Sequence, residues 1–518
     1  MTNNSHGPAR SVMNTPARPT TNHEGHVTIC RGFHRTWITA AVAGLLLFTA
    51  GCSFIPEYKQ PEMPVTDAWP DENVQPAAGA GQPTAAQTAA DIAYQDYFTS
   101  RTLQQIIAMA LENNRDMRVA LLNIEQAKAA YRIKKSDELP VAAGSAGMSR
   151  SGIAEDNSQT GKAMTGDWMM TAGVGVTAYE LDLFGRVRSL SQNALETFLA
   201  TREAASSTRI ALVAQTADAY VNLLAQRKLQ HLAQETYTAQ KVTYDVIKSQ
   251  YDAGSTDQLA LAQAATSTES AKASIYRYKR LAAQAENALV YLAGSGVYDL
   301  IKPCETSLET IDNIGVLTQL PAGLPSRILL SRPDIQAAEH QLKAANASIG
   351  AARAALYPTI SLTGSLGFAS QGLSYLFDPS RSLSWTFSPN ISIPIFSRGA
   401  LNASLDSATV GEKIAAAQYE GAIQTAFREV ADQLVARRHY KDELDAQNAL
   451  VSATRQAYDL SKARYDNGID DFLAVLDSQR SLFSAEQDAI SLKQAYLSNL
   501  INLYKVMGGG KMETSNAN

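Results

Sequence analysis

The strongest constraint on this chain is a ten-residue stretch that occurs twice, each time between very long helical patterns. Residues 251–260 read Y-D-A-G-S-T-D-Q-L-A, and residues 465–474 read Y-D-N-G-I-D-D-F-L-A. An offset of 214 positions carries Tyr251, Asp252, Gly254, Asp257, Leu259 and Ala260 onto Tyr465, Asp466, Gly468, Asp471, Leu473 and Ala474. Glycine just past a helix takes φ > 0 at no steric cost. The Asp three residues later is a natural N-cap for the next helix. Each copy therefore reads as the tip of a helical hairpin, turning at Gly254 and Gly468. One copy alone would be an ordinary helix–helix turn; two at a fixed offset indicate internal duplication.

The flanking chain repeats as well. Residues 186–253 contain neither Pro nor Gly, and as one helix they would extend about 100 Å. Ile210, Val213, Ala217, Tyr220 and Leu224 space a coiled-coil seam along it. A further helix runs from Asp257 to Gly294. Upstream lie a short helix to Asn113, a second from Asp116 to Ser136 ended by Pro140, and extended stretches at 141–150 and 168–183. The order then recurs: a short helix at 325–331, a helix from Pro333 to Leu356, Pro358 in place of Pro140, and strands at 359–368 and 384–396. A Pro-free helix from Ala400 to Asn467 follows, with Ile423, Phe427, Val430 and Leu434 on its seam, and a last helix ends at Met507. The pattern predicts repeats over 102–294 and 320–508, an irregular connector over 295–319, and a disordered tail over 509–518.

The N-terminus reads as an export signal. Arg31 and Arg35 precede an apolar run, Trp37 to Ala50, that is too short to span a bilayer comfortably. It ends in Thr49-Ala50-Gly51-Cys52, which resembles a bacterial lipobox. That resemblance implies a signal peptide over 1–51, lipidation of Cys52 and, with Ser53 following it, sorting to the outer membrane. A plain cleaved signal with a chance Cys is the alternative. Residues 52–101, dotted with Pro, are expected to form a lipid-anchored extended linker. Only Cys304 would remain beside Cys52 after processing, so no disulfide framework is expected. The formal net charge of −5 over 518 residues, with no basic stretch interleaved with aromatics, gives no reason to expect a nucleic-acid partner.

The strands point to a compartment. Ile360, Leu362, Leu366 and Phe368 share one face of 359–368, while Thr359, Ser361, Thr363 and Ser365 share the other. Trp385, Phe387, Ile391, Ile393 and Ile395 alternate likewise with Ser384, Thr386, Ser388, Asn390 and Ser392. A half-buried soluble sheet has the same period. These strands, however, reach the length of a tilted outer-membrane strand, Trp168 and Trp385 lie near strand ends as interfacial aromatics do, and the chain carries an outer-membrane address. In 168–183 the apolar parity switches near Tyr179 and Glu180, which predicts a bulge or an exit from the bilayer. An open sheet cannot span lipid, so four strands per chain require closure with other copies.

The motifs L-P-S-R-I-L-L-S-R-P-D-I (324–335), A-N-A-S-I-G-A-A-R-A-A-L-Y-P-T-I-S-L (345–362), Y-E-L-D-L-F-G-R (179–186) and C-S-F-I-P-E-Y-K-Q-P (from Cys52) resemble the outer membrane factor family. These are the TolC-like exit ducts, and the match is to their lipoprotein branch. The resemblance covers essentially all of 52–510. It implies a mixed α and β membrane protein: a homotrimer whose 12-stranded β-barrel continues into a long periplasmic α-helical barrel. It also implies a periplasmic adaptor and an inner-membrane transporter of the resistance-nodulation-division type as partners, with antibiotics and other toxic small molecules as cargo.

No catalytic or metal constellation is present in the sequence, so no enzyme activity and no cofactor are expected. His231, His340 and His439 stand apart, and no H-E-x-x-H, G-x-S-x-G, P-loop or C-x-x-C occurs. The chemistry instead points to a gate. Leu473 and Asp477 are spaced i,i+4 and share a helix face. The resemblance places them at stacked periplasmic constriction rings, an apolar plug and a negative ring favouring cations. The first copy has Leu259 but Gln263 there. The resemblance also makes Arg464 and Tyr465 candidates for a closed-state latch. Three alternatives stand beside this reading: a duct for metal-ion efflux, a duct for type I protein secretion, and a lipid-anchored coiled-coil protein without a pore.

Overall fold

The computed structural model describes residues 53–66, 69, 93–153, 164–302, 309–316 and 326–509. The signal peptide over 1–51, Cys52, Cys304 and the tail beyond Gly509 lie outside them.

Helices dominate. In chain order they are α1 (Tyr94–Tyr97), α2 (Arg101–Asn113) and α3 (Arg115–Ser136), then strands β1 (Ala142–Ser149), β2 (Gly152–Ile153), β3 (Met164–Thr165) and β4 (Met169–Glu180). Helices α4 (Arg186–Asp252), α5 (Gln258–Ala293) and α6 (Val297–Ile301) follow. A 3₁₀ turn (Ser326–Ser331) leads into α7 (Pro333–Ala354), β5 (Thr359–Ser370), α8 (Pro379–Ser382), β6 (Leu383–Ser392), α9 (Arg398–Asp466) and α10 (Phe472–Val506).

The long helices form because nothing in them breaks the backbone ladder and their seams bury. Ile210, Val213, Ala217, Tyr220 and Leu224 are all buried on α4, as are Ile423 and Val430 on α9. Phe427 and Leu434 pack against the same core. Each fully buried Leu or Ile contributes roughly 1.5–3 kcal/mol, which is what holds helices of weak amphipathicity in place. Starts and stops follow the caps read from sequence. Asp257 and Asp471 accept from the amides of Ala260 and Ala474 at 2.8 and 3.3 Å.

Strands β1, β4, β5 and β6 form one antiparallel sheet in the order β1-β4-β5-β6. The predicted bulge falls between Val176 and Tyr179, where the register shifts and Ala178 adopts φ 50°. Its amide, freed from the ladder, donates to the Thr363 hydroxyl at 3.1 Å. The last strand ends at Ser392 rather than 396, because Pro394 has no N–H to continue a ladder. Among the described residues no helix is long and apolar enough to cross a membrane.

Three sequence expectations change. Within the predicted short helix 325–331, Ser326–Ser331 form a 3₁₀ turn, tightened before Pro333, which disfavours α conformation in the residue ahead of it. The connector 295–319 holds a helix, α6, whose Val297 and Ile301 are buried. The described parts of the linker, residues 53–66, Trp69 and 93–101, pack against the body. Phe54 stacks on Tyr357 at 4.8 Å and faces Phe184 at 6.2 Å. Asn346 donates to the Pro56 carbonyl at 2.9 Å, Gln60 to the Tyr419 hydroxyl at 2.9 Å, and Trp69 stacks on Phe427 at 4.8 Å. At its far end Tyr97 and Phe98 are fully buried, with the Tyr97 hydroxyl donating to the Leu500 carbonyl at 2.7 Å. Residues 53–66, with Pro56, Pro61 and Pro64, form no helix or strand and lie against the body, whereas Tyr94–Tyr97 form the short helix α1.

The hydroxyl-bearing side of the sheet is concave. Gly173 and Gly367 are directly paired across β4 and β5, and a Cβ on Gly173 would lie 2.8 Å from the Gly367 Cα. Curling crowds the inner face, and only glycine fits where two backbones approach this closely. Gly367→Val is therefore expected to prevent closure of the sheet. Loss of the heat-modifiable band on a denaturing gel, with expression retained, would show it; a wild-type band would refute the curvature argument.

Candidate channel and gate

The concave face of the sheet carries Ser145, Thr171, Thr363, Ser365 and Thr386. Ser365 and Thr386 oppose each other across β5 and β6 and share a 2.7 Å hydrogen bond. The opposite face carries Val174, Leu366, Trp385, Phe387 and Ile391, which are 55–71% exposed. A polar concave wall with a bare apolar outer wall is the arrangement of a water-filled lumen in lipid. At the base of the sheet the Y-E-L-D-L-F-G-R motif becomes a corner. Gly185 takes φ 76°, and Arg186 grips Glu180 in a fork at 2.8 and 2.5 Å.

Both helix tips close in the same way. Gly254 and Gly468 have φ 75° and 69°, and a Cβ at either position would meet nothing within 4 Å. Their amides donate to the Tyr251 and Tyr465 carbonyls at 2.9 and 2.8 Å. The next amides, of Ser255 and Ile469, donate to the Gln250 and Arg464 carbonyls at 2.8 and 2.9 Å. These are paired Schellman motifs. Behind them a small core of Ile247, Ala264, Phe472, Val475 and Leu476 joins the two hairpins.

The latch candidates have different partners. Arg464 forms a fork with Asp470 across its own turn, at 2.6 and 2.8 Å. Tyr465 reaches Gln250 of the other hairpin at 3.5 Å and packs on Phe472. The hydrogen bond from Arg464 holds the Asp470 carboxyl below the usual carboxylate range. A depressed acid stabilises above its unfolded pKa and loses that contribution as pH falls through the depressed value. The turn should therefore hold at neutral pH and loosen only in acid. Asp470→Asn at pH 7 is expected to speed proteolytic cleavage within 464–471; unchanged cleavage would show that the fork does not order the tip.

Leu473 and Asp477 sit on one exposed stripe of α10, with Leu473 49% exposed and the Asp477 side chain 72% exposed. Arg480 lies 3.8 Å from the Asp477 carboxylate. Leu450, Thr454, Ser481 and Asp488 complete the groove around them. The sequence reading missed Arg480 and Asp488, although their i,i+3 and i,i+11 spacings from Asp477 place them on the same face. On α5, Leu259 is exposed and Gln263 half-buried.

The fold defines an outer-membrane channel protein carried on long helical hairpins. The outer membrane efflux protein model matches residues 106–295 and 324–509. The probable efflux pump outer membrane protein TtgC of Pseudomonas putida is 44% identical over 487 residues, covering 93% of this chain and 98% of that one. The cation efflux system protein CusC of Escherichia coli O157:H7 is 38% identical over 468 residues, covering 90% and 97%. A membrane protein from Pseudomonas aeruginosa superposes with TM-score 0.80 at 37% identity, covering 88% and 100%. The open state of the Neisseria gonorrhoeae MtrE outer membrane channel superposes with TM-score 0.77 at 35% identity, covering 89% and 98%. The chain belongs to the outer membrane efflux protein family. Its place is the outer membrane of a Gram-negative cell, with a large periplasmic helical part.

Proposed function

We propose that three copies close the four-stranded sheet into a twelve-stranded barrel and form the passive exit duct of a tripartite efflux pump. The observation that carries this reading is the sheet itself. Among the described residues, strands β1 and β6 each have one edge without a partner strand, and in lipid each unpaired backbone group costs several kcal/mol. The duct would receive its cargo from a periplasmic adaptor and an inner-membrane transporter of the resistance-nodulation-division type. Relatives named for toluene and antibiotic efflux support small toxic compounds as cargo; the relative named for cation efflux supports metal ions as the second reading. Lipidated Cys52 would hold the strapped N-terminal segment at the membrane.

The gate would lie at the helix tips, with three Leu473 side chains as an apolar plug and three Asp477 carboxylates as a negative ring. Arg464 and Tyr465 would hold the closed tip through Asp470 and Gln250. The duct reading is tested by purifying the full chain. Conductance in a planar bilayer and raised intracellular drug accumulation after gene deletion are the expected results. A protein that stays monomeric and carries no current would overturn the reading.

A further inference from the structure

The apolar face of the sheet is unevenly filled. The register sets Ala142, Val176, Gly364 and Phe387 side by side across β1, β4, β5 and β6. The next row on this face is Gly144, Val174, Leu366 and Trp385, which carries three large side chains. Gly364 carries none, so a gap opens between Val176 and Phe387. Val174 and Leu366 bound it on one side, and the cross-strand pair Tyr179 and Leu362 bounds it on the other. Tyr179 stands there because of the bulge. The register shift after Val176 turns it from the hydroxyl-bearing side onto the face of Val174 and Val176. The result is a dent of about 490 Å³ walled by Pro140, Val176, Tyr179, Leu362, Leu366 and Phe387. The two polar side chains at its lining are bonded elsewhere: the Tyr179 hydroxyl donates to the Glu138 carbonyl at 3.1 Å, and Ser365 pairs with Thr386 on the opposite face. The dent therefore suits hydrocarbon and has nothing to hold a polar headgroup.

The N-terminal strap leads to the same end of the sheet. Phe54 stacks on Tyr357 and faces Phe184. Tyr357 lies just before β5 begins at Thr359, and Phe184 just after β4 ends at Glu180. Tyr179 and Leu362, the near wall of the dent, stand at that end of the two strands. Cys52 is joined to Phe54 through Ser53 alone, a reach of about 7 Å. From Thr359 to Leu362 is about 10 Å along the strand. An acyl chain spans about one leaflet, half of a hydrocarbon core roughly 30 Å thick, which covers that distance. We propose that the dent around Gly364 seats an acyl chain carried by Cys52. The strap delivers the lipid to the base of the sheet, and the missing side chain at Gly364 gives it a place on the wall. The inference rests on the proposed lipidation of Cys52 and names where the lipid lies.

The test uses the full chain, exported and processed in Gram-negative cells fed a diazirine-bearing fatty acid, with isolated outer membranes then irradiated. Mass spectrometry of the digested protein is expected to find the peptide that begins at Cys52 joined, through its lipid, to peptides holding 174–179 or 362–366. Gly364→Leu fills the dent. A Cβ at Gly364 would have the Thr386 carbonyl oxygen, 3.6 Å away, as its nearest neighbour, so the side chain enters without displacing backbone. This variant is expected to lose the joined peptides while keeping the acyl mass on Cys52 and the heat-modifiable band. Joined peptides persisting in Gly364→Leu would overturn the seat. Strand peptides modified by phospholipid alone, or a Cys52 lipid joined only to other parts of the chain, would overturn it too and leave lipidation standing. A peptide from Cys52 without acyl mass would overturn lipidation and the seat with it. Should Gly364→Leu fail to form the heat-modifiable band, the wild-type adduct decides by itself.

Discussion

Single channels of Asp477→Ala in a planar bilayer are expected to carry more current than wild type and to lose part of their cation preference. Asp477 stands on the exposed stripe of α10 one turn beyond Leu473, at the end of the hairpin where helices must converge to shut a duct. A unit charge about 4 Å away in water contributes roughly 1 kcal/mol, about a fivefold change in local ion concentration. Removing this charge from each copy of the proposed duct should therefore change selectivity by about that factor or more. Arg480, 3.8 Å from Asp477, offsets part of that charge, so Arg480→Ala should strengthen cation preference, opposite in sign to Asp477→Ala. Both side chains are largely exposed, so neither change should affect folding. Unchanged reversal potentials in both variants would remove Asp477 from the gate.

Arg332→Ala is expected to destabilise the protein by about 3 kcal/mol. Arg332 is 8% exposed at the side chain and holds three partners at once. It forks onto Asp334 at 3.0 and 2.6 Å, bonds Glu429 at 2.9 Å, and caps the Val506 carbonyl at 2.6 Å. It thus pins the start of α7 to α9 and to the end of α10. Burial works against its charge, but Asp334 and Glu429 outweigh burial and raise its pKa above the ordinary arginine value. Removing one partner of a buried pair typically costs about 3–5 kcal/mol. Here the two acids are partly exposed, 43 and 37%, and can rehydrate, so the lower end applies. Arg332→Lys should recover only part, since an ammonium cannot hold a fork and a carbonyl together. Chemical denaturation midpoints would measure both variants. A shift below about 1 kcal/mol for Arg332→Ala would show that the helices are held by packing alone.

The motif S-R-P-D-I was legible as a family mark, and Pro333 as a helix start, but nothing near Arg332 in sequence points to Glu429 or Val506. The same contrast appears at the tips. The turn, its glycines and its Asp caps were readable because each depends on a few adjacent residues. That Arg464 grips Asp470 follows from how a Schellman turn folds back the next residues, and the link from Tyr465 to Gln250 requires the two hairpins to be side by side.

By itself the sequence determined the duplicated hairpins, the strand faces and the bulge near Tyr179. These features come from local rules: helix caps, the absence of Pro over long spans, and period-2 alternation. Only the tertiary structure decided that residues 53–66 and Trp69 are strapped along α7 and α9, that Gly173 and Gly367 meet on the hydroxyl-bearing face, and that the sheet runs β1-β4-β5-β6 with two open edges among the described residues. Those depend on which distant surfaces bury one another, a free energy summed over contacts far apart in the chain, and no window of sequence contains both partners. The repeat itself was plain in the letters. The unequal burial of its two halves, Ile490 covered and Tyr276 bare, emerged only when the halves were packed together.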